Sequence, residues 1–311
     1  MKDKLSVLLP AYNEEKMINK ACNRIAELLD KAEIVYEIIV VDDGSRDGTW
    51  TEIKKEAQNN QQIKGIRFSR NFGKEAAIFA GLEQISGDCC VVMDCDLQHP
   101  PETILEMYAL WKQGYEVVEG VKEERGKESK LHRICAAGFY KVISIATNID
   151  MSKASDFKLL DKKAVQSLLE IKEEEVFFRA LSSWIGFKTT KIAFRVQERE
   201  LGESKWSFFS LVKYALKNIT SFTAAPMQIV TFLGMIMFFV SIGLGILAFW
   251  QKVTGIATEG FTTVIILQLF SSSIIMFSLG VMGYYLAKIY EKVKGRPRSI
   301  VAEKCGIEKN G

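Results

Sequence analysis

Two long stretches without a charged side chain, Met227–Trp250 and Thr262–Ala287, constrain this chain more than any other feature. A helix over the first extends about 36 Å at 1.5 Å per residue, enough to cross the hydrocarbon core of a bilayer. Core helices of soluble domains are seldom that long and that uniformly apolar. Two transmembrane helices are therefore expected, at 227–250 and 262–287. Lys213 and Lys217 precede the first span, and Lys288, Lys292, Lys294, Arg296 and Arg298 follow the second. The connector Gln251–Phe261 holds only Lys252, offset by Glu259. By the positive-inside rule both ends face the cytosol, so a multi-pass plasma-membrane protein with cytosolic termini is expected.

Residues 1–206 mix charged and apolar side chains as a soluble domain does. Residues 207–225 carry Phe208, Leu211, Val212, Ala215, Leu216 and Ile219 at helical spacing, with Lys213 and Lys217 on another face. Such a helix suits the membrane interface. Residues 288–311 read as a basic cytosolic tail. A net charge of +3 is too small to indicate a nucleic-acid partner. Cys22, Cys89, Cys90, Cys95, Cys135 and Cys305 form no paired C-x-x-C spacing and are expected as reduced thiols, mostly in the core. Met1–Lys4 runs straight into the strand-like Leu5–Leu9, so no leader is expected and the first domain stays in the cytosol.

The first half alternates short apolar runs with helix-like stretches, the pattern of a βαβ sheet. Strands are expected at Leu5–Leu9, Glu37–Val41, Lys64–Phe68 and Cys89–Met93, and further on at Phe157–Leu160. Asn13 is placed to cap a helix whose first turn carries Glu14 and Glu15. Other helices are expected up to about Gln84 and over Leu131–Thr147 and Lys162–Leu169, with a charged surface loop at Lys122–Lys130. A polar cluster follows each of the first four strands, and in an open α/β sheet that edge binds ligands.

Asp94-Cys95-Asp96 ends the fourth strand. Two carboxylates at that spacing can face one ion, and hard oxygens suit Mg²⁺ or Mn²⁺. Gln98 stands two residues on, within reach of the same ion. Asp42-Asp43 is a second acidic pair at a strand end. His99 and His132 have no second histidine at ligand spacing and read as structural.

Four runs, in order, resemble the family 2 glycosyltransferases: Val7–Glu15, Val41–Thr49, Arg70–Lys74 and Met93–Glu102. The likeness narrows to the polyprenyl-phosphate group, which includes bactoprenol glucosyltransferases and dolichol-phosphate mannose synthases. It rests on Ser155–Leu160, Ser183–Phe187, Arg199–Trp206, Asn218–Phe222 and the paired membrane helices, and so covers nearly the whole chain. The resemblance implies a Rossmann-like GT-A nucleotide-sugar domain, followed by an interfacial helix and two transmembrane helices. It implies that Pro10, Tyr12, Glu14 and Asp43 hold the nucleoside, with Asp43 facing the base, and that Lys74 assists donor binding. Asp94, Asp96 and Gln98 would serve the metal and diphosphate. Asp156 falls at the acceptor-side carboxylate, and Arg199 and Lys205 fall where basic residues grip phosphate. Lys122 departs from the pattern, standing where relatives carry arginine, which weakens the assignment of Lys122 and Arg125 to phosphate.

The implied reaction is an inverting transfer of a hexose to undecaprenyl phosphate, with Asp156, Asp96, Arg199 and Lys205 as its catalytic set. UDP-glucose is the leading donor on closeness of resemblance, with UDP-N-acetylglucosamine and GDP-mannose as alternatives. The expected partners are the nucleotide-sugar, the polyprenyl phosphate and the bilayer, with self-association left open. A processive polysaccharide synthase would carry Q-x-x-R-W, which Phe178–Trp184 does not match. A silent membrane adaptor would have no need of the intact acidic and basic set.

Overall fold

The computed structural model describes residues 3–122, 155–171, 177–195, 225–255 and 260–307. The expected helix at 131–147 and residues 207–224 of the helix expected at 207–225 lie outside them, as do Arg125, His132, Cys135, Arg199 and Lys205. Among the described residues the first domain is an eight-stranded sheet flanked by helices. Its first four strands are β1 (Lys4–Ala11), β2 (Val35–Asp42), β3 (Ile63–Phe68) and β4 (Cys89–Val92), alternating with helices α1 (Glu15–Lys31), α2 (Thr49–Asn59) and α3 (Lys74–Leu82). These strands run parallel in the order β4-β1-β2-β3. Helices cover both faces of such a sheet, which is why β1, β2 and β4 read as continuous apolar runs. Leu5, Val7, Leu8 and Leu9 are all fully buried. Helix α1 buries Ile18, Cys22, Ile25 and Leu29, a stripe at three- and four-residue spacing. Burial of each such aliphatic side chain contributes about 1.5–3 kcal/mol.

After α4 (Thr103–Lys112) the sheet continues with β5 (Val117–Lys122) and β6 (Lys158–Asp161). Helices α5 (Lys162–Glu170) and α6 (Phe178–Trp184) then lead to β7 (Thr189–Phe194). With a last strand β8 (Val301–Cys305), the full order is β7-β5-β6-β4-β1-β2-β3-β8, and β6 is antiparallel to both of its neighbours. The chain moves from β1 outward to β3, then returns to lay β4 on the other side of β1. That reversal opens a crevice at the carboxyl ends of β1 and β4. His99 is buried there in an aromatic cluster, stacked on Phe157 at 4.8 Å and edge-on to Phe194 at 5.3 Å, the structural place expected of it.

Two expectations need correction. Asn13 does not cap α1: it takes the left-handed conformation at φ 56°, Glu14 occupies the cap position, and the Asn13 side chain bonds elsewhere. Residues 288–311, expected as one tail, divide in the structure. Helix continues to Val293, and Val301–Cys305 forms β8, paired antiparallel with β3 at the sheet edge.

The second unit contains helices α7 (Ala225–Val253) and α8 (Phe261–Val293). Each includes a segment long and apolar enough to cross a membrane, Val230–Gln251 and Val264–Tyr290. Among the described residues nothing in those segments is buried within the protein, and Phe249 and Trp250 are 72% and 69% exposed. Large apolar side chains left bare along whole helices suit a lipid surround.

Candidate functional site

Three loops meet at the carboxyl edge of β1, β2 and β3, and polar bonds lace them together. The Asn13 N–H donates to Ser45 Oγ at 2.9 Å, and its side-chain oxygen accepts from the Arg46 N–H at 3.0 Å. Glu14 donates its N–H to Thr49 Oγ1, and Glu15 accepts from the Gly48 N–H. Asp42 accepts from the Ser45 N–H at 2.8 Å, closing the turn. Asp43 reaches the third loop, accepting from the N–H groups of Phe72 at 2.7 Å and Gly73 at 2.9 Å. Burial raises the Asp43 pKa despite those two bonds, and the neighbouring Asp42 charge adds to the effect. Gly44 lies at φ +66°, where a Cβ would collide with the Arg70 backbone, so only glycine lets the two loops close.

Beneath these loops is a cavity of about 340 Å³. Pro10, Tyr12, Glu14, Asp43, Lys74 and Asp94, the six residues expected at the donor, all line it, as does Asp96. Gln98 is not among the lining residues; its N–H donates to Asp96 Oδ1 at 3.1 Å in a turn that holds Leu97 at φ 54°. A leucine in that conformation marks local strain of the kind that tertiary contacts must hold in place.

An ionic chain leaves the cavity through Lys74. Its ammonium lies 2.5 Å from Asp94 Oδ1 and 2.7 Å from Asp156 Oδ2. Burial alone would lower the Lys74 pKa, but these two carboxylates outweigh it and raise it. Arg179 then grips Asp156 with both arms, Nε to Oδ1 at 2.7 Å and Nη2 to Oδ2 at 2.9 Å. Against the cost of burial, Lys74 and Arg179 hold the Asp156 carboxyl well below the usual carboxylate range. Asp156 is therefore an anion throughout the neutral range. Glu75, beside this group, accepts from the Phe178 N–H at 2.9 Å. Burial and the Asp156 charge push its pKa up to about 7, against the opposing pull of that N–H, Arg179 and Lys74.

Arg179 is seated from below by a buried ion pair. Lys158 is fully buried, with its ammonium 2.6 Å from Glu119 Oε1, 2.7 Å from Ser182 Oγ and 3.3 Å from the Arg179 carbonyl. Ser183 also donates to Glu119, at 2.8 Å. Burial lowers the Lys158 pKa, and the Glu119 charge beside it opposes that shift. The pair thus ties β5 and β6 to α6. Arg179, Glu119 and Lys158 were not among the expected site residues. A signal existed: Glu119 and Lys158 each interrupt an apolar strand sequence, and charges so placed are rarely buried without a partner.

Residues 6–167 match the model of glycosyl transferase family 2. An uncharacterized glycosyltransferase of Synechocystis is 36% identical, the alignment covering 98% of this chain and 96% of that protein. A prophage-derived bactoprenol glucosyl transferase of Shigella flexneri is 31% identical, covering 96% of this chain and 97% of the relative. Among solved structures, a glucosyl-3-phosphoglycerate synthase of Mycobacterium tuberculosis, crystallised with Mn²⁺, UDP and phosphoglyceric acid, superposes with a TM-score of 0.52. It is 20% identical and covers 70% of this chain and 76% of its own, a likeness of fold.

Proposed function

The chain belongs to glycosyl transferase family 2, and from that premise we propose that it transfers glucose from UDP-glucose to undecaprenyl phosphate at a membrane. The observation that carries this reading is the ionic chain Asp94–Lys74–Asp156–Arg179, which couples the cavity wall to a carboxylate beyond it. A donor in the cavity and an acceptor near Asp156 would then share one set of charges. The names of the bactoprenol glucosyl transferases, matched over nearly their full length, support the acceptor and the sugar. Two helices of membrane-spanning length support a lipid substrate.

In the proposed inverting displacement, a phosphate oxygen of the acceptor attacks the anomeric carbon. The bond from that carbon to the diphosphate oxygen breaks, and the nucleoside diphosphate leaves with the electron pair. A phosphate monoester has a second pKa near ~6 and is largely a dianion at neutral pH, so no proton has to be removed. Asp156 suits this chemistry as a positioning anion, since a carboxylate held at so low a pKa is a poor base. Its charge would repel the incoming phosphate but for Lys74 and Arg179, which leave the group of four electrically neutral. Lys74 also fixes the distance between Asp94 and Asp156. In the proposal Arg199 and Lys205 grip phosphate.

A divalent ion fits the wall of this cavity. Asp94 and Asp96 would hold Mg²⁺ or Mn²⁺ there, and among the described residues no group of three metal-binding acidic, histidine or cysteine side chains occurs. So sparse a set suits a hard cation that keeps waters and takes its other oxygens from substrate phosphates. Held by Asp94 and Asp96, such an ion would supply positive charge to offset that of the departing diphosphate.

The donor is tested by offering the membrane-embedded protein UDP-glucose, UDP-N-acetylglucosamine and GDP-mannose, each with undecaprenyl phosphate. UDP-glucose should give the highest kcat/KM. A preference for GDP-mannose would overturn the donor assignment while leaving the reaction class intact.

A further inference from the structure

Strand β8 comes after both membrane-length helices in sequence, yet its side chains reach the region of the donor loops. Glu303 Oε1 accepts from Arg67 Nη1 at 3.1 Å, and Glu303 Oε2 accepts from the Trp50 indole at 2.9 Å. Arg67 Nε in turn lies 3.5 Å from Asp42 Oδ2. That oxygen is, among the described residues, the one buried side-chain oxygen without a hydrogen bond, so Arg67 supplies its nearest compensating charge. Asp42 closes the turn from which Asp43 enters the cavity and holds the Phe72 and Gly73 N–H groups.

The strand also forms part of a wall. A second cavity, of about 530 Å³, shares Tyr12 and Asn71 with the first and is lined by Arg67, Arg70 and, from β8, Ala302. The Ser69 N–H bonds the Ile300 carbonyl at 3.0 Å, so the loop between β3 and α3 is fastened to the C-terminal segment. Arg67 is the register partner of Asp42 on β2 and of Glu303 on β8, so the three side chains lie abreast across adjacent strands, and the β3–β8 register slips just beyond them, between Arg67 and Phe68. Further back, Arg298 bonds the Ile171 carbonyl and lies over the Phe79 ring, 4.9 Å from its centroid.

We propose that β8 is a working part of the donor site, in which Glu303, acting through Arg67, positions the Asp42–Asp43 turn and the adjoining loop for a nucleoside diphosphate. Glu303 is a positioning residue, since it touches Arg67 and Trp50 rather than the cavity that the donor would occupy. The inference rests on the nucleotide-sugar reading above and adds to it a residue more than 200 positions from any donor motif. Its chemistry is specific: a carboxylate orients a guanidinium by charge-assisted bonds, and the guanidinium offsets a buried aspartate.

The test measures UDP and GDP binding, with Mg²⁺, to the full-length protein in nanodiscs. Glu303→Gln should weaken nucleotide binding about tenfold, the loss of a charge-assisted bond, and raise the donor KM rather than lower kcat or move the acceptor KM. Trp50→Phe removes the indole bond together with some buried ring volume, leaves the Glu303–Arg67 pair in place, and should leave nucleotide affinity within about twofold of the parent. Unchanged affinity in Glu303→Gln would overturn the inference. Equal weakening in both variants would also overturn it, because the effect would then run through the packing of α2 and not through Arg67. A parent protein that binds neither nucleotide would sink the donor reading itself, a different result from either.

Discussion

Arg179 closes both of its arms on Asp156, one nitrogen to each carboxylate oxygen at 2.7 and 2.9 Å. Bidentate pairing fixes orientation as well as charge, so the carboxylate can neither rotate nor readily take up a proton. If Asp156 positions rather than deprotonates, Asp156→Asn should lower kcat about a hundredfold and leave the acidic limb of the pH profile in place. That limb would follow the acceptor phosphate, with its pKa near ~6. Arg179→Lys keeps the charge and loses the fork, and should cost about tenfold in kcat. Steady-state rates between pH 5 and 9 check both variants. A limb that vanishes in Asp156→Asn would identify the carboxylate as the base.

The buried Lys158–Glu119 pair should behave asymmetrically on mutation. Lys158→Met leaves Glu119 charged and unpaired, which should cost about 3–5 kcal/mol of unfolding free energy. The double variant Lys158→Met with Glu119→Leu removes both charges and should recover most of that loss. Denaturant unfolding in detergent measures the cycle. Additive losses would contradict the pairing.

Glu37 should make part of the protein's stability acid-sensitive. Burial opposes its charge, but bonds from Lys64, Ser6 and Ser86 bring its pKa down to about 2. A glutamate in the unfolded chain titrates near ~4.3, so the folded state favours the anion. The resulting stabilisation is complete above the unfolded pKa and is lost as pH falls toward about 2. Glu37→Gln should lower stability at pH 7 and flatten the decline between pH 5 and 3. Thermal unfolding across that range decides it.

The membrane arrangement has a direct check. If both ends face the cytosol, as the distribution of basic residues leads one to expect, a thiol introduced as Ile256→Cys should react in intact cells with an impermeant reagent, while thiols placed near residues 130 and 300 should not. Labelling of Ile256→Cys only after permeabilisation would reverse the topology.

Local sequence carried much of the donor side. Strands β1, β2 and β4 are mostly apolar runs that end in polar clusters, and parallel topology then brings Pro10, Asp43 and Asp94 to one cavity without further instruction. Asn13 misled because Asn is a favoured cap, while here its left-handed backbone and its bond to the Arg46 N–H turn it to lacing the loops. Strand β8 was hidden because Val301–Cys305 follows a run of basic residues and pairs with a strand far back in the chain, Cys305 lying opposite Gly65, 240 residues earlier. Arg179 was hidden for the same physical reason. Its local stretch fits no motif, and its meaning comes only from Asp156 and from Lys158 beneath its helix.

Transfer of the sugar to a lipid carrier can be followed by extraction. Membranes containing the protein are incubated with radiolabelled UDP-glucose and Mg²⁺, with and without added undecaprenyl phosphate, and the lipid fraction is extracted. Label should enter that fraction in proportion to added acceptor, and should be absent with excess chelator or in Asp96→Ala. Label confined to the aqueous phase or to polymer would rule out a lipid phosphate as the acceptor.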